Sequence, residues 1–301
     1  MARRNIWLIL SCLIMLASAV APARAQDRLK IGITLHPYYS FVANIVGDLA
    51  DIVPLIPASV NPHGYQPQAE DIKRAMSMDA LVVNGIGHDE WAFEIIAAAG
   101  RQQDLPLIYA NASVALIPIA GTGEEKIVNP HTFISTTAAV QQVYEIAQRL
   151  GEIDPPHADV YRANAREYAA RIRRLRADFM TRFVELSRDG FRAATMHAGY
   201  DYLFQEFGLQ IAAIIEPRHG VAPTPRQLAR TIEEIKAANV TALFSEKYFV
   251  TNLAETVRRE TGVAVYALSH ISEGPFTPEK FEDEMRANIE TLARAVAEAS
   301  H

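Results

Sequence analysis

Apolar residues at Tyr161, Ala165, Tyr168, Ile172, Leu175, Phe179, Phe183 and Leu186 recur three and four positions apart, a spacing that draws one stripe along a helix. Asp154 offers an N-cap, Pro155 suits the first helical position and Gly190 marks a stop, so the pattern predicts one long helix over 154–190. At about 1.5 Å per residue such a helix reaches on the order of 50 Å. Arg162, Arg166, Arg171, Arg173, Arg174, Arg176 and Arg182 keep most of its other side in water. A rod of this length is expected to act as a spine between two lobes.

On either side of it the period changes. Short β-rich runs over 29–35, 52–56, 80–84 and 107–110 alternate with helical patterns over 38–49, 70–76 and 90–99. Beyond it, runs over 193–196, 210–215, 241–244 and 264–268 alternate with helices over 225–237, 252–261 and 278–299. Strands separated by helices imply βαβ units, so the predicted fold class is α/β: two lobes, each with a parallel sheet flanked by helices, joined by one long rigid helix. The expected division is an export signal over 1–25, an N-terminal lobe over 26–153, the linking helix over 154–190 and a C-terminal lobe over 191–301. The residues themselves show no repeat between the lobes.

The start of the chain changes the picture of where this fold works. Arg3 and Arg4 precede a largely apolar run from Ile6 to Val20, and Ala23-Arg24-Ala25 is a small-x-small cleavage signal before Gln26. The run is too short for a membrane anchor and soon meets Pro22 and Arg24. Cys12, the single cysteine, leaves with the signal, so the mature fold rests on its core without disulfides. Loss of three arginines leaves 26 basic against 35 acidic residues, a net charge of −9. That acidity argues against nucleic acid or anionic lipid as partner and suits a cation.

Four of the nine histidines carry the candidate chemistry. His63 lies in Asn61-Pro62-His63-Gly64, His131 in Asn129-Pro130-His131-Thr132, His197 at the end of the first strand of the second lobe, and His270 after the last strand. All four fall at carboxyl ends of strands or just beyond, the edge where open parallel sheets bind ligands. Imidazole is the commonest neutral metal ligand, and three or four such donors satisfy a late first-row divalent ion. Spacings of this size match no local metal motif, so each histidine alone reads more readily as a structural or solvent-exposed residue; only together do they suggest a site.

Here the chain resembles a known family, the metal-binding receptors of zinc and manganese ABC transporters. The segment Asn61-Pro62-His63-Gly64-Tyr65-Gln66-Pro67 with Asp71-Ile72-Lys73 is similar to the family's "DPHxFEPxPxDIK", and Leu81-Val82-Val83-Asn84-Gly85 with Trp91 to its "VxNGxGxExW". Asn129-Pro130-His131 resembles "DPHxWL", Met196-His197-Ala198-Gly199-Tyr200 resembles "SHDAFGYFxxxYGL", and Glu246 stands in the "FxExxF" position. The similarity runs in order from about residue 28 to 297 and implies two lobes on a rigid helix, a binding role and no enzymatic activity. It further implies His63, His131 and His197 as metal ligands. Where the family places Asp, this chain has Ser269 with His270 beside it, so either His270 takes over or a water completes the site. Glu246 is expected to accept a hydrogen bond from a ligand imidazole. The loop near 121–128 is short and carries only Glu124 and Glu125, without the long His-rich insertion of many zinc receptors.

Three or more imidazoles favour zinc over manganese, which the family's manganese receptors hold with two carboxylates. The expected function is therefore a periplasmic zinc receptor, a monomer that hands its ion to a membrane permease. The alternatives are a manganese or iron receptor of the same family, or a secreted zinc hydrolase with Glu246 as general base. His88 and His219 are expected either to line the cleft or to be exposed. Zinc affinity is expected to fall as pH drops through about 6.5.

Overall fold

The computed structural model describes residues 28–58, 60–120, 127–216, 221–248 and 252–299. The signal expected over 1–25, positions 121–126 of the short loop and His219 lie outside the described residues.

Aliphatic runs at Leu29–Ile33 (β1), Ala50–Pro54 (β2), Ala80–Val83 (β3) and Leu107–Tyr109 (β4) pair in parallel in the order β2-β1-β3-β4. Every residue of β3 is buried, as a strand covered on both faces requires. The helices between are His36–Val46 (α1), Ala69–Met76 (α2) and Glu90–Ala98 (α3). An antiparallel ribbon, Pro118–Ala120 (β5) with Ile127–Val128 (β6), leads to Thr136–Ile153 (α4). This ribbon has no counterpart in the sequence reading, because two and three residues are too few to show alternation.

The long helix (α5) runs over Ala158–Glu185, 28 residues rather than the 37 positions of 154–190, and so spans about 42 Å. Pro155–His157 form a separate 3-10 turn, because Pro156 disfavours helical geometry at Pro155. Asp154 still anchors the junction, taking Tyr161 Oη at 2.6 Å and lying 2.7 Å from His157 Nδ1. The apolar stripe is the buried face as read, from Tyr161 to Phe183.

The second sheet combines Ala193–Thr195 (β7), Ile211–Ile214 (β8), Ala242–Glu246 (β9) and Ala264–Leu268 (β10) in the order β10-β9-β7-β8. Its helices are Asp201–Glu206 (α6), Pro225–Ala237 (α7), Asn252–Thr261 (α8) and Lys280–Glu298 (α9). Counted from its own first strand, each sheet has the order second, first, third, fourth, so the lobes share one topology that no residue repeat betrays. The switch points of the two sheets fall between β1 and β3 and between β7 and β9.

Packing makes the two lobes one body. A single apolar cluster runs from Ile31 and Phe41 through Tyr168, Ile172 and Phe183 of α5 to Phe204 and Phe281. Each fully buried side chain of this size contributes about 2 kcal/mol of burial. Along its polar face, α1 straps down the segment after β10. His36 Nε2 lies 2.9 Å from Gly274 O, Ser40 Oγ donates to Thr277 O at 2.9 Å, and Asn44 Nδ2 donates to Pro278 O at 2.8 Å. These residues are four apart and therefore on one helix face.

Candidate metal centre

Both Asn-Pro-His segments fold alike. Asn61 Oδ1 accepts the His63 N–H at 3.0 Å, and Asn129 Oδ1 accepts the His131 N–H at 3.0 Å. A short polar side chain two residues upstream thus closes a tight turn that throws the imidazole outward. Trp91 Nε1 donates to Pro62 O at 2.9 Å and fixes the first turn. The second rests on a buried polar network in which Asn111 links Asn84, Thr132 and Gln142. Asn129 also orients the ring it precedes, with its Oδ1 2.8 Å from His131 Nδ1. Its amide donates across to the C-terminal lobe, at Ala198 O (2.6 Å) and Asp201 Oδ2 (3.0 Å).

His197 follows β7 with Nδ1 2.8 Å from Glu246 Oε1 at the end of β9. A Cβ on Gly199 would stand 2.2 Å from His197 Nε2, so only glycine leaves the ring its room. His270 is aimed by backbone geometry. Ile271 holds φ of 59°, a region costly for a β-branched residue, while Ser269 N–H donates to Asn288 Oδ1 and Asn288 returns a bond to Ser269 O. Ser269, at the family's aspartate position, accepts the Ile271 N–H through its hydroxyl and so shapes this bend.

The structure brings His63, His131, His197 and His270 together: their ligand atoms lie within 4.8 Å of one another, drawn from both lobes. His63 Nε2 and His131 Nε2 are 2.9 Å apart. His63 is half-buried and the other three are buried. Burial, followed by the neighbouring imidazoles, holds His131 well below the usual histidine range, and burial alone pushes His197 down to about 3. Burial thus favours the neutral, donor form of these two rings. His88, given no definite role above, is buried with its ring centroid 4.0 Å from that of His63 and 5.1 Å from that of His131. Its signal was positional: like the four, it follows a strand, here β3.

Fold and cleft define the class: a bilobed solute receptor whose lobes are joined by a rigid helix and whose binding groups converge between two sheet edges. The chain belongs to the family described as zinc-uptake complex component A, periplasmic, whose model matches residues 31–295. Among solved structures it is similar to the SBP FpvC of Pseudomonas aeruginosa, seen with Ni2+ (TM-score 0.85) and with Mn2+ (TM-score 0.86). Both are 50% identical over 90% of this chain and 98% or 99% of that one. A crystal structure of ZnuA is 25% identical with a TM-score of 0.76, covering 90% of this chain and 100% of that chain. The manganese ABC transporter substrate-binding lipoprotein PsaA of Streptococcus pneumoniae is 24% identical, covering 96% of this chain and 97% of its own. These relatives are receptors and not enzymes, and this chain is a metal-binding receptor of an ABC transporter.

Proposed function

We propose that the chain is exported by a signal cleaved after Ala25 and captures a first-row divalent ion, zinc foremost, through His63, His131, His197 and His270. It then passes the ion to its permease. The observation that carries this reading is the convergence of four imidazoles, from both lobes, within 4.8 Å. A nitrogen-only set suits borderline ions and offers nothing to Mg2+ or Ca2+, which require oxygen. On such donors zinc outranks manganese in the usual stability order. The ion reaches the centre past half-exposed His63, which lines a cleft of about 280 Å3 together with Glu90 and Glu94. A second reading, manganese as cargo, is supported by the Mn2+ complex at 50% identity.

Titration of the demetallated mature protein with zinc and then manganese tests both. One tight zinc equivalent, absent in His131→Ala and unmatched by manganese, is the expected result. Tighter manganese binding moves the cargo to the second reading, and absence of stoichiometric binding overturns the proposal.

A further inference from the structure

Resting on the reading of this cleft as a metal site, we propose that His88 is an optional fifth ligand. It joins the shell of ions that take five or six donors and stays out of the shell of four-coordinate zinc. The ring is 2% exposed and lies against three of the four convergent imidazoles, with centroids 4.0 Å from His63, 5.1 Å from His131 and 5.9 Å from His270. The four are 5.0 to 6.3 Å apart among themselves. Imidazoles sharing one ion at about 2.1 Å stand roughly 4–6 Å apart by centroid. His88 meets that spacing, but the donor atoms within 4.8 Å of one another are those of the other four, so His88 joins the shell by a turn of its ring.

Its position is built rather than incidental. Asp89 is fully buried and accepts from Thr34 Oγ1 at 2.5 Å, Asn84 N at 2.7 Å and Gly85 N at 2.9 Å, locking the turn after β3. Gly87, with φ of 108°, permits the bend that delivers His88 inward. A wall beside Phe133 would pack as well with an apolar side chain and without the desolvation cost of a buried imidazole. A ring adjoining the four gives one pocket two coordination numbers. Zinc is satisfied by four nitrogens, whereas nickel and manganese prefer more.

The test compares nickel and zinc affinities, with visible spectra of bound Co2+, in the mature wild type, His88→Ala and His88→Leu, all checked for native circular dichroism. Both variants should lose about tenfold or more in nickel affinity while zinc stays within about threefold. Their Co2+ bands should strengthen as the coordination number falls, and free imidazole added to His88→Ala should weaken them again. An unchanged spectrum and nickel-to-zinc ratio in both variants overturns the proposal, as do equal losses for the two ions, which mark a packing role. If the wild type binds neither ion, the receptor reading itself falls and this inference falls with it.

Discussion

Nδ1 of His197 lies 2.8 Å from Oε1 of Glu246, so adjacent strands β7 and β9 end in a coupled imidazole and carboxylate. A carboxylate at that distance favours a proton on Nδ1, which would leave the Nε2 lone pair for a metal ion. Glu246→Gln should lower metal affinity about tenfold to a hundredfold while leaving the fold intact, as measured by competition with a chromophoric chelator. An unchanged affinity would mean that the ring is oriented by packing alone.

The stability of the metal-free protein should fall with acid. An unfolded histidine titrates near 6.5, whereas His197 is pushed down to about 3, His36 to about 4 and His131 well below its usual value, in each case chiefly by burial. Between these limits the unfolded chain binds more protons. The contribution is therefore complete above about pH 6.5 and is lost as pH falls toward 4, at up to about 1.4 kcal/mol per unit for each histidine. Buried Asp89, whose carboxyl is raised, opposes the trend at the acid end. Urea midpoints at pH 7.5, 6 and 5 should decline in order; a flat series contradicts neutral buried rings.

Gly199→Ala should damage the centre without replacing a candidate ligand. The new methyl group would meet His197 Nε2 at 2.2 Å, forcing the ring away from the cleft or moving the backbone, at a cost of about 1–3 kcal/mol. Calorimetry should show weaker zinc binding together with a lower melting temperature. Wild-type values for both would show that the ring yields freely.

Loosening the strap should act on His270 from the far lobe. Ser40→Ala and Asn44→Ala each remove a bond to the segment after β10, about 1 kcal/mol apiece. Amide exchange over 272–278 should quicken, and bound zinc should dissociate faster in the double variant. Unaltered exchange would show that Phe276, stacked on His36 at 4.2 Å, is sufficient to hold the segment.

The α/β alternation was legible because most strands are short apolar runs bounded by turn residues, and α7, α8 and β10 lie over the positions read from the sequence. The start of α5 was not, since Asp154-Pro155 is as good an opening for a 3-10 turn as for a helix. Proximity of His63, His131, His197 and His270 followed from strand-end placement, a topological rule that needs no local motif. His88 was read as either lining the cleft or exposed, and only the tertiary bonds of Asp89 show that its turn faces inward. Neither the strap nor the left-handed Ile271 leaves a sequence signal, because both are set by partners more than a hundred residues away or by backbone torsion.

The apolar cluster shared by both sheets and α5 also governs how the molecule comes apart. With Phe41, Phe183 and Phe281 in one continuous contact set, melting of either half opens this shared core and leaves the other only its own smaller cluster, around Trp91 or around Leu243. Unfolding should therefore be a single cooperative transition, with calorimetric and van't Hoff enthalpies in agreement, despite the presence of two sheets. A chain cut within α5 should yield fragments that fold only when mixed.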